Sequence, residues 1–341
     1  VPEGADGVVR VEHTDGGSDA AVRIVSDSDA GSNIRRRGED LRRGEVVLRR
    51  GAVLRAAEIG VLASVGRSRV DVVRRPTVAV LASGEELVDL DGFAEVVAGR
   101  RIVSTNTYSL AAQLEESGMR TRLLGIAKDS PGSLREHLQR ARGCDALVTT
   151  GGISVGAHDY TTDVLGGFGL GLVFWRARIR PGSPLAFGRV RGLGGIPWFG
   201  LPGNPVSTMV TFEVFVRPAL LRMAGHDAVF APTVRARLAE DYSAKPGLTH
   251  FVRVRLERVG AALGEPDAAG PERAEAAEEA AGRGGRTAPV EWVASLTGAQ
   301  GSGILSSMAR ADGLLVLPAD RTDAKAGEVF DVMMLGGARR D

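Results

Sequence analysis

Glycines, a hydroxyl group and a carboxylate follow one another in the segment TTGGISVGAHDYT, directly after an apolar run. Gly151 and Gly152 open this segment, Ser154 adds the hydroxyl, and Asp159 supplies the carboxylate. Successive glycine amides can point at an anion, and a nearby carboxylate can hold a Mg²⁺ ion that bridges to a phosphate. The pattern therefore indicates an anion site beside a metal ion. The alternative, in which Asp159 only caps a helix that begins at Tyr160, stays open.

A second candidate site is the segment GLPGNPVS, residues 200–207. Asn204 suits a helix N-cap, and Pro205 suits the first helical position. The N-terminus of the long helix that follows would attract an anion. Two prolines make this loop more rigid than capping alone requires, so we favour a functional loop over ordinary capping.

Charged residues follow three other apolar runs. Glu86 comes after TVAVLAS, and Asp129 comes after TRLLGIA. In FWRARIRPGSP, strand alternation would place Arg176, Arg178 and Arg180 on one face. A row of guanidinium groups suits a tetrahedral anion such as phosphate, although an exposed strand face explains any single arginine equally well.

The elements that position these residues follow a strand–helix alternation that predicts a parallel α/β layer domain. Continuous apolar runs indicate strands buried on both faces, and their carboxyl ends form the default ligand edge. Thr105 or Asn106 is expected to cap the first helix of this domain. The predicted strands are 77–83, 121–127, 145–150, about 172–178, 184–190 and 196–201, and the predicted helices are 105–118, 130–142 and 205–225.

The regions before and after the predicted α/β domain have different sequence patterns. Residues 1–50 alternate apolar and polar residues between frequent glycines, which predicts short strands, and 55–66 have helical spacing. After Gly225 the sequence again predicts strands, which indicates a separate small β-barrel or sheet. Within it, residues 264–286 have almost no apolar bulk, and we expect a flexible hairpin tip.

Composition excludes several functional classes. The chain has 341 residues, is 43% hydrophobic and 25% charged, and carries a formal net charge of +1, so no basic field indicates nucleic acid. Cys144 is the single cysteine, so a thiolate metal site within one chain is excluded. We expect Cys144 to be a buried packing residue, and a single cysteine fits a reducing compartment. No signal peptide or run of about 18 apolar residues predicts a membrane span. The start at Val1 suggests a missing N-terminal portion.

Four segments in order resemble the molybdopterin molybdenumtransferase family, the bacterial MoeA type and the related E domain of gephyrin. They are VPEGADGVV, GSNIRRRGEDL, TTGGISVGAHDYT and FGLPGNPVSTMVTF. The resemblance implies a central three-layer α/β domain that binds molybdopterin, an elongated β domain before it, and a small C-terminal β-barrel-like domain. The implied boundaries are 1–45 for the elongated domain, 46–74 for a helical linker, 75–225 for the α/β domain, and 226–341 for the C-terminal domain with an insertion at about 260–289.

The resemblance also implies a function. The family inserts molybdate into adenylylated molybdopterin in a Mg²⁺-dependent step that releases AMP. It implies a cytoplasmic homodimer that works with molybdopterin adenylyltransferase and with apoproteins of molybdoenzymes. Two alternatives stay open, namely the adenylyltransferase itself and a non-catalytic scaffold of the gephyrin kind.

Residue by residue, the resemblance assigns acidic residues to catalysis and small, polar or basic residues to substrate binding. The implied catalytic residues are Asp40, Glu86, Asp129 and Asp159, of which the last three would hold Mg²⁺. The implied substrate contacts are Gly151, Gly152, Ser154, Arg176, Arg180, Pro202, Gly203, Asn204, Pro205, Ser207, Arg253 and Ser302. One departure is Ser183, which stands where family members commonly carry a lysine, so anion capture should be weaker there.

Overall fold

The computed structural model describes residues 1–17, 21–152, 160–259 and 292–336. By its internal contacts the chain divides into a smaller unit, Val1–Asp71, and a larger unit, Val72–Asp341. The segment around 264–286, predicted as a hairpin tip, lies outside the described residues. No helix in the described part of the chain is long and apolar enough to cross a membrane.

The larger unit begins with an α/β domain built on a six-stranded sheet. Its strands are β1 (Thr77–Ser83), β4 (Arg120–Ala127), β5 (Ala146–Thr150), β6 (Leu170–Trp175), β8 (Ala186–Val190) and β9 (Ile196–Leu201), and short strands elsewhere are β2 (Leu87–Val88), β3 (Ile102–Val103) and β7 (Ile179–Arg180). The helices are α2 (Phe93–Val97), α3 (Thr105–Glu116), α4 (Pro131–Gln139), α5 (Tyr160–Gly167), α6 (Pro205–Thr211) and α7 (Arg217–Met223), the last two joined by a π-helical turn, Phe212–Val216.

The sheet order is β4-β1-β5-β9-β8-β6, and its first four strands are parallel. The predicted parallel α/β layer domain is observed, with one departure, since β8 is antiparallel to both β9 and β6. The connection from β8 to β9 covers only residues 191–195. Such a short connection can only reverse the chain, because a parallel crossover needs a dozen residues or more.

Strand β1 explains why an uninterrupted apolar run is needed at the centre of the sheet. Its residues alternate between two cores, with Ala79 and Leu81 packed on one side and Val78 and Val80 on the other. Leu134 of α4 lies in the first core and Leu110 of α3 in the second. Helices therefore cover both faces, as in a three-layer domain.

The helix ends follow local chemistry, with one correction. Pro131 begins α4, where the Ser130 hydroxyl accepts a hydrogen bond from the Ser133 amide at 3.4 Å. The N-cap position of α3 is Ser104, one residue before Thr105, so the predicted cap at Thr105 or Asn106 was wrong. Asn106 is free of the capping role, because its side chain bonds other elements of the domain.

The rest of the larger unit is a closed five-stranded barrel, which confirms the predicted C-terminal β domain. The strand order of the barrel is β13-β10-β16-β14-β12, and the pairing of β12 with β13 closes it. The elements are β10 (Thr233–Leu238), β11 (Tyr242–Ser243), β12 (Thr249–Arg258), β13 (Trp292–Leu296), β14 (Gly313–Leu317), β15 (Asp323–Ala324), β16 (Val329–Met334) and α8 (Leu305–Ala309). Strand β7 adds to β12 in parallel from outside the barrel sequence.

The smaller unit departs from the sequence-based expectation. Helix α1 (Ala56–Ser64) confirms the predicted helix, and Gly66 follows it with a left-handed φ of 72°. The strands predicted in residues 1–50 were wrong for the described residues, which hold turns and one isolated bridge between Thr14 and Ile24. Short alternating segments form stable strands only when three or more pair over a shared apolar face.

Asp29 organises the smaller unit because it is the buried acceptor for several donors. Its carboxylate accepts the Arg10 amide at 2.9 Å and lies 2.7 Å from Nδ1 of His13, although only 3% of the residue is exposed. The Arg10 backbone amide is the main cause that lowers the pKa of Asp29 to about 2. Stability from this charge is therefore fully present above the ordinary carboxyl pKa near 4 and is lost as pH falls through about 2.

We expect Asp29→Asn to speed amide hydrogen exchange in residues 7–33 at pH 7, because the charged acceptor of the Arg10 amide is removed. Asp27→Asn is the matched control, since Asp27 is exposed. In the wild type, the Arg10 amide resonance should titrate with a midpoint near 2. A midpoint near 4, or equal exchange in both variants, would contradict this role.

Candidate functional site

A cleft of about 680 Å³ lies at the carboxyl ends of the four parallel strands. Ser83, Asp129, Gly151 and Pro202 come from the ends or following loops of β1, β4, β5 and β9, and all four line it. The first residues of α3 also border the cleft. The observed edge is the one at which an open α/β sheet binds ligands, and its volume fits a nucleotide-sized molecule.

Two carboxylates line this cleft, and the described residues offer neither of them an ionic partner. Glu86 and Asp129 both line it, both are exposed, and neither has a salt-bridge partner within the described residues. One oxygen of Asp129 accepts the Glu85 amide at 3.2 Å. The Glu86 carboxylate lies over Gly84, 2.7 Å from where a Cβ atom would stand. This donor set fits a hard divalent cation, because Mg²⁺ takes one or two carboxylates together with phosphate oxygens.

Lysine and arginine are missing from the described residues that line the cleft. No group of three acidic, histidine or cysteine side chains in the described ranges could hold a metal ion. Of the three predicted Mg²⁺ ligands, only Glu86 and Asp129 are described, and Asp159 lies outside the described residues. An anionic ligand would thus meet two negative charges and needs a cation or neutral donors to bind here.

The glycine turn after β5 is fixed by its neighbours. Gly151 and Gly152 both have left-handed φ angles, 82° and 67°. A Cβ atom on Gly151 would stand 2.4 Å from the backbone oxygen of Ser83. A Cβ atom on Gly152 would stand 2.4 Å from the Thr161 hydroxyl oxygen. Only glycine meets both the backbone and the space requirement at these two positions.

The LPGNP loop is held by a buried network that sequence reasoning missed. The Pro202 carbonyl accepts hydrogen bonds from the hydroxyls of Thr150, at 3.0 Å, and Thr208, at 2.6 Å. Asn106 of α3 donates to the Thr150 hydroxyl and to the Gly203 carbonyl, both at 2.8 Å. Three elements are therefore fixed to one loop. The available signal was a polar residue in the first helical turn, which we interpreted only as a cap.

The predicted row of arginines was wrong as a strand face. Strand β6 ends at Trp175, and Arg176 has a left-handed φ of 79° with its guanidinium stacked 5.0 Å from the Trp175 ring. Arg180 belongs to β7, which pairs with the barrel instead of the six-stranded sheet. The left-handed residue interrupts the period of two on which the prediction depended. Arg176 and Arg180 are exposed and lie outside the residues that line the cleft.

Arg253 belongs to β12 of the barrel and is buried, with 1% of its surface exposed. Its Nε donates to the Ser307 hydroxyl at 2.7 Å, and one Nη donates to the carbonyls of Ala299 and Gly301 at 3.3 and 3.2 Å. Burial lowers the pKa of the Arg253 guanidinium. The residue is not among those that line the cleft, and these bonds make it a clamp for the loop before α8.

Ser302 links this loop to the α/β domain, because its carbonyl accepts the Val206 amide at 3.1 Å in the first turn of α6. Ser207 is buried in the same turn, outside the cleft lining. Ser183 uses its carbonyl to accept the amides of Ala177 and Leu185.

The structure thus brings together part of the predicted site. The residues that meet at the cleft are Glu86, Asp129, Gly151, Gly152, Pro202, Gly203, Asn204 and Pro205. Asp40 belongs to the smaller unit, and Ser154 and Asp159 lie outside the described residues. Besides Asn106, the residues that sequence reasoning missed are Ser83 and Thr161, which line the cleft with buried hydroxyls.

Comparisons with known proteins agree with this architecture. Three family models match in order: the MoeA N-terminal region (domain I and II) over 1–66, the probable molybdopterin binding domain over 79–222, and the MoeA C-terminal region (domain IV) over 290–335.

Curated relatives match almost the whole chain. Molybdopterin molybdenumtransferase 1 of Mycobacterium tuberculosis is 31% identical over 338 residues, covering 98% of this chain and 72% of the relative. Molybdopterin molybdenumtransferase of Staphylococcus aureus is 30% identical over 338 residues, covering 98% and 71%. A solved structure of the molybdopterin biosynthesis MoeA protein from Pyrococcus horikoshii has a TM-score of 0.68 and 25% identity, covering 98% of this chain and 73% of that one.

We expect Gly151→Ala to lower the free energy of unfolding by at least about 2 kcal/mol, because a left-handed φ alone costs about 1–2 kcal/mol in a residue with a Cβ atom. The clash with the Ser83 backbone adds to that cost. Gly132→Ala is the control, since no atom lies within 4 Å of its added Cβ, and it should gain up to about 1 kcal/mol in its helix. Urea denaturation followed by tryptophan fluorescence measures both, and equal midpoints would contradict the prediction.

Arg253→Lys should cost about 1–3 kcal/mol of unfolding free energy, because a lysine ammonium cannot reproduce the fork that reaches Ser307, Ala299 and Gly301. Arg255→Lys, on the same strand but exposed, should change it by less than about 0.5 kcal/mol. The same denaturation experiment compares them. Equal losses would show that Arg253 is not a structural clamp.

Proposed function

The chain belongs to the molybdopterin molybdenumtransferase (MoeA) family, and we propose that it catalyses the corresponding step of molybdenum cofactor biosynthesis. In this step molybdate is inserted into adenylylated molybdopterin, and AMP is released. The observation that carries the proposal is the cleft at the carboxyl ends of β1, β4, β5 and β9, with Glu86 and Asp129 facing it and no cationic side chain among its described lining residues.

Charge supports a Mg²⁺-dependent reaction. Both proposed substrates are anions, and a cleft bordered by two carboxylates repels them. Glu86 and Asp129 would hold the Mg²⁺ ion, because they are exposed carboxylates without ionic partners in the described ranges. When bound, Mg²⁺ would neutralise phosphate charge and polarise the bond that AMP leaves.

Rigidity of the site supports a positioning role for the protein. The bonds of Asn106, Thr150 and Thr208 fix the Gly203 and Pro202 carbonyls, so the loop keeps its shape before a ligand arrives. Preorganised groups lower the entropic cost of bringing two substrates together. The glycine turn at Gly151 permits close approach of the backbone to the nucleotide.

The protein supplies no sulfur ligand for molybdenum in this proposal. Cys144 is buried in the sheet core, and burial raises the pKa of its thiol, so the reactive thiolate is disfavoured. The dithiolene sulfurs of molybdopterin would bind the metal instead, which leaves orientation and charge to the protein.

The family relationship also supports a cytoplasmic homodimer that receives its substrate from a molybdopterin adenylyltransferase and passes the product to apoproteins of molybdoenzymes. In such a dimer Asp40, an exposed residue of the smaller unit, would serve the cleft of the second copy. Ser183, in place of the family's usual lysine, would weaken capture of molybdate.

The test is release of AMP from adenylylated molybdopterin in the presence of molybdate and Mg²⁺, with molybdenum in the product measured alongside. We expect Asp129→Asn and Glu86→Gln to lower the rate by about 10²-fold or more, as expected for loss of charge stabilisation of the transition state. Chelation of Mg²⁺ with EDTA should have a similar effect. Glu136→Gln, an exposed acid of α4 outside the cleft, is the matched control.

Absence of AMP release by the wild type would contradict the proposed activity. Wild-type rates in Asp129→Asn and Glu86→Gln would leave the activity intact but contradict the role of these carboxylates. Full activity after chelation would contradict the dependence on Mg²⁺.

A further inference from the structure

Two hydroxyl groups of the cleft have no hydrogen-bond partner in the part of the chain that the structure describes. Ser83 ends β1 and Thr161 is the second residue of α5, and only 5% and 2% of their surfaces are exposed. The Ser83 Oγ and Thr161 Oγ1 atoms are buried and unpartnered, whereas the nearby Thr150 hydroxyl has both a donor and an acceptor. Buried hydroxyls in native proteins are nearly always paired, so two exceptions in one cleft call for a ligand.

The two hydroxyls converge on the glycine turn. From the point where a Cβ atom of Gly152 would stand, Thr161 Oγ1 is 2.4 Å away and Ser83 Oγ is 2.8 Å away. Because both oxygens lie within 2.8 Å of one point, they are close enough for a single acceptor atom of a ligand to bond both. Because position 152 is a glycine, no Cβ atom competes with the two hydroxyls for this space.

Their chemistry matches an anionic oxygen. A hydroxyl donates its proton at no cost in net charge, which matters in a cleft that already contains Glu86 and Asp129. Thr161 lies in the first turn of α5, where the helix dipole favours negative charge. A phosphate oxygen can accept several hydrogen bonds at once.

We propose that Ser83 and Thr161 bind a phosphate oxygen of the adenylyl group and thereby position the substrate nucleotide. The proposal rests on the proposed function for the identity of the ligand. It assigns to both residues a role in binding that is separate from any structural bond, because neither hydroxyl has a partner among the described residues.

The test compares Ser83→Ala and Thr161→Val with the wild type by titration calorimetry, using AMP and adenosine in MgCl₂. We expect each variant to bind AMP at least about 10-fold more weakly, the loss typical of a hydrogen bond to a charged group. Affinity for adenosine, which lacks the phosphate, should stay within about twofold. Thr161→Ser keeps the hydroxyl and should retain AMP binding.

Thermal unfolding without ligand gives a second readout. Both variants should melt at or above the wild-type temperature, because an unpaired buried hydroxyl is replaced by an apolar group. Thr121→Val is the matched control, since Thr121 Oγ1 is also buried and unpartnered but lies at the amino end of β4, away from the cleft. It should also keep its melting temperature, with wild-type affinity for AMP.

Unchanged AMP affinity in both variants, or equal losses for AMP and adenosine, would overturn the proposal. A lower melting temperature of Ser83→Ala and Thr161→Val without ligand would also overturn it, because it would reveal a structural partner such as a fixed water. If the wild type binds AMP and only the variant comparison fails, the proposed function stands. If the wild type does not bind AMP, the proposal fails, whereas the proposed function is decided separately by the assay of AMP release.

Discussion

The carbonyl oxygen of Pro202 is the point on which the site depends, because it accepts two buried hydroxyl protons at once. Thr150 donates from the end of β5, and Thr208 donates from α6. Asn106 then ties α3 to the same strand and to the Gly203 carbonyl. Elements from distant parts of the sequence thus meet at a single loop. The packed sheet beneath supplies the stability that this polar arrangement requires.

Charge in the cleft has to be balanced by something other than basic side chains. Glu86 and Asp129 make the described lining negative, while the family-type substrates are negative as well. A divalent cation, helix N-termini, backbone amides and neutral hydroxyls can each supply attraction for an anion. Ser83 and Thr161 belong to the last group, and their unpaired state costs stability in the free protein. The site therefore accepts a local energetic penalty in return for ligand binding.

Patterns of short range predicted the α/β domain well. The uninterrupted apolar run at 77–83 predicted a buried strand, and both faces of that strand are covered. Pro131 and Gly118 predicted helix ends, which the structure confirms. The C-terminal barrel was also predicted, as was the burial of Cys144.

Most of the failures depended on features that a local pattern does not carry, whereas the direction of β8 follows from the short connection at 191–195. Nothing near Arg176 in the sequence indicates a left-handed φ, and that single angle ends β6 and sends Arg180 to another sheet. Asn106 has the composition of an ordinary cap, but its partners are 44 and 97 residues away. Alternation in residues 1–50 predicted strands, although pairing needs partners that a local pattern cannot supply.

Strand β7 has a consequence for how this protein could change during evolution. Ile179 and Arg180 lie within the α/β sequence, yet they pair with Thr249 and His250 at the margin of the barrel. Ser302 fastens the barrel a second time to the start of α6. A gene rearrangement that deletes or exchanges the barrel would therefore leave β7 without its paired strand and α6 without the hydrogen bond to Ser302. The two domains are thus joined by backbone hydrogen bonds, although each has a hydrophobic core of its own.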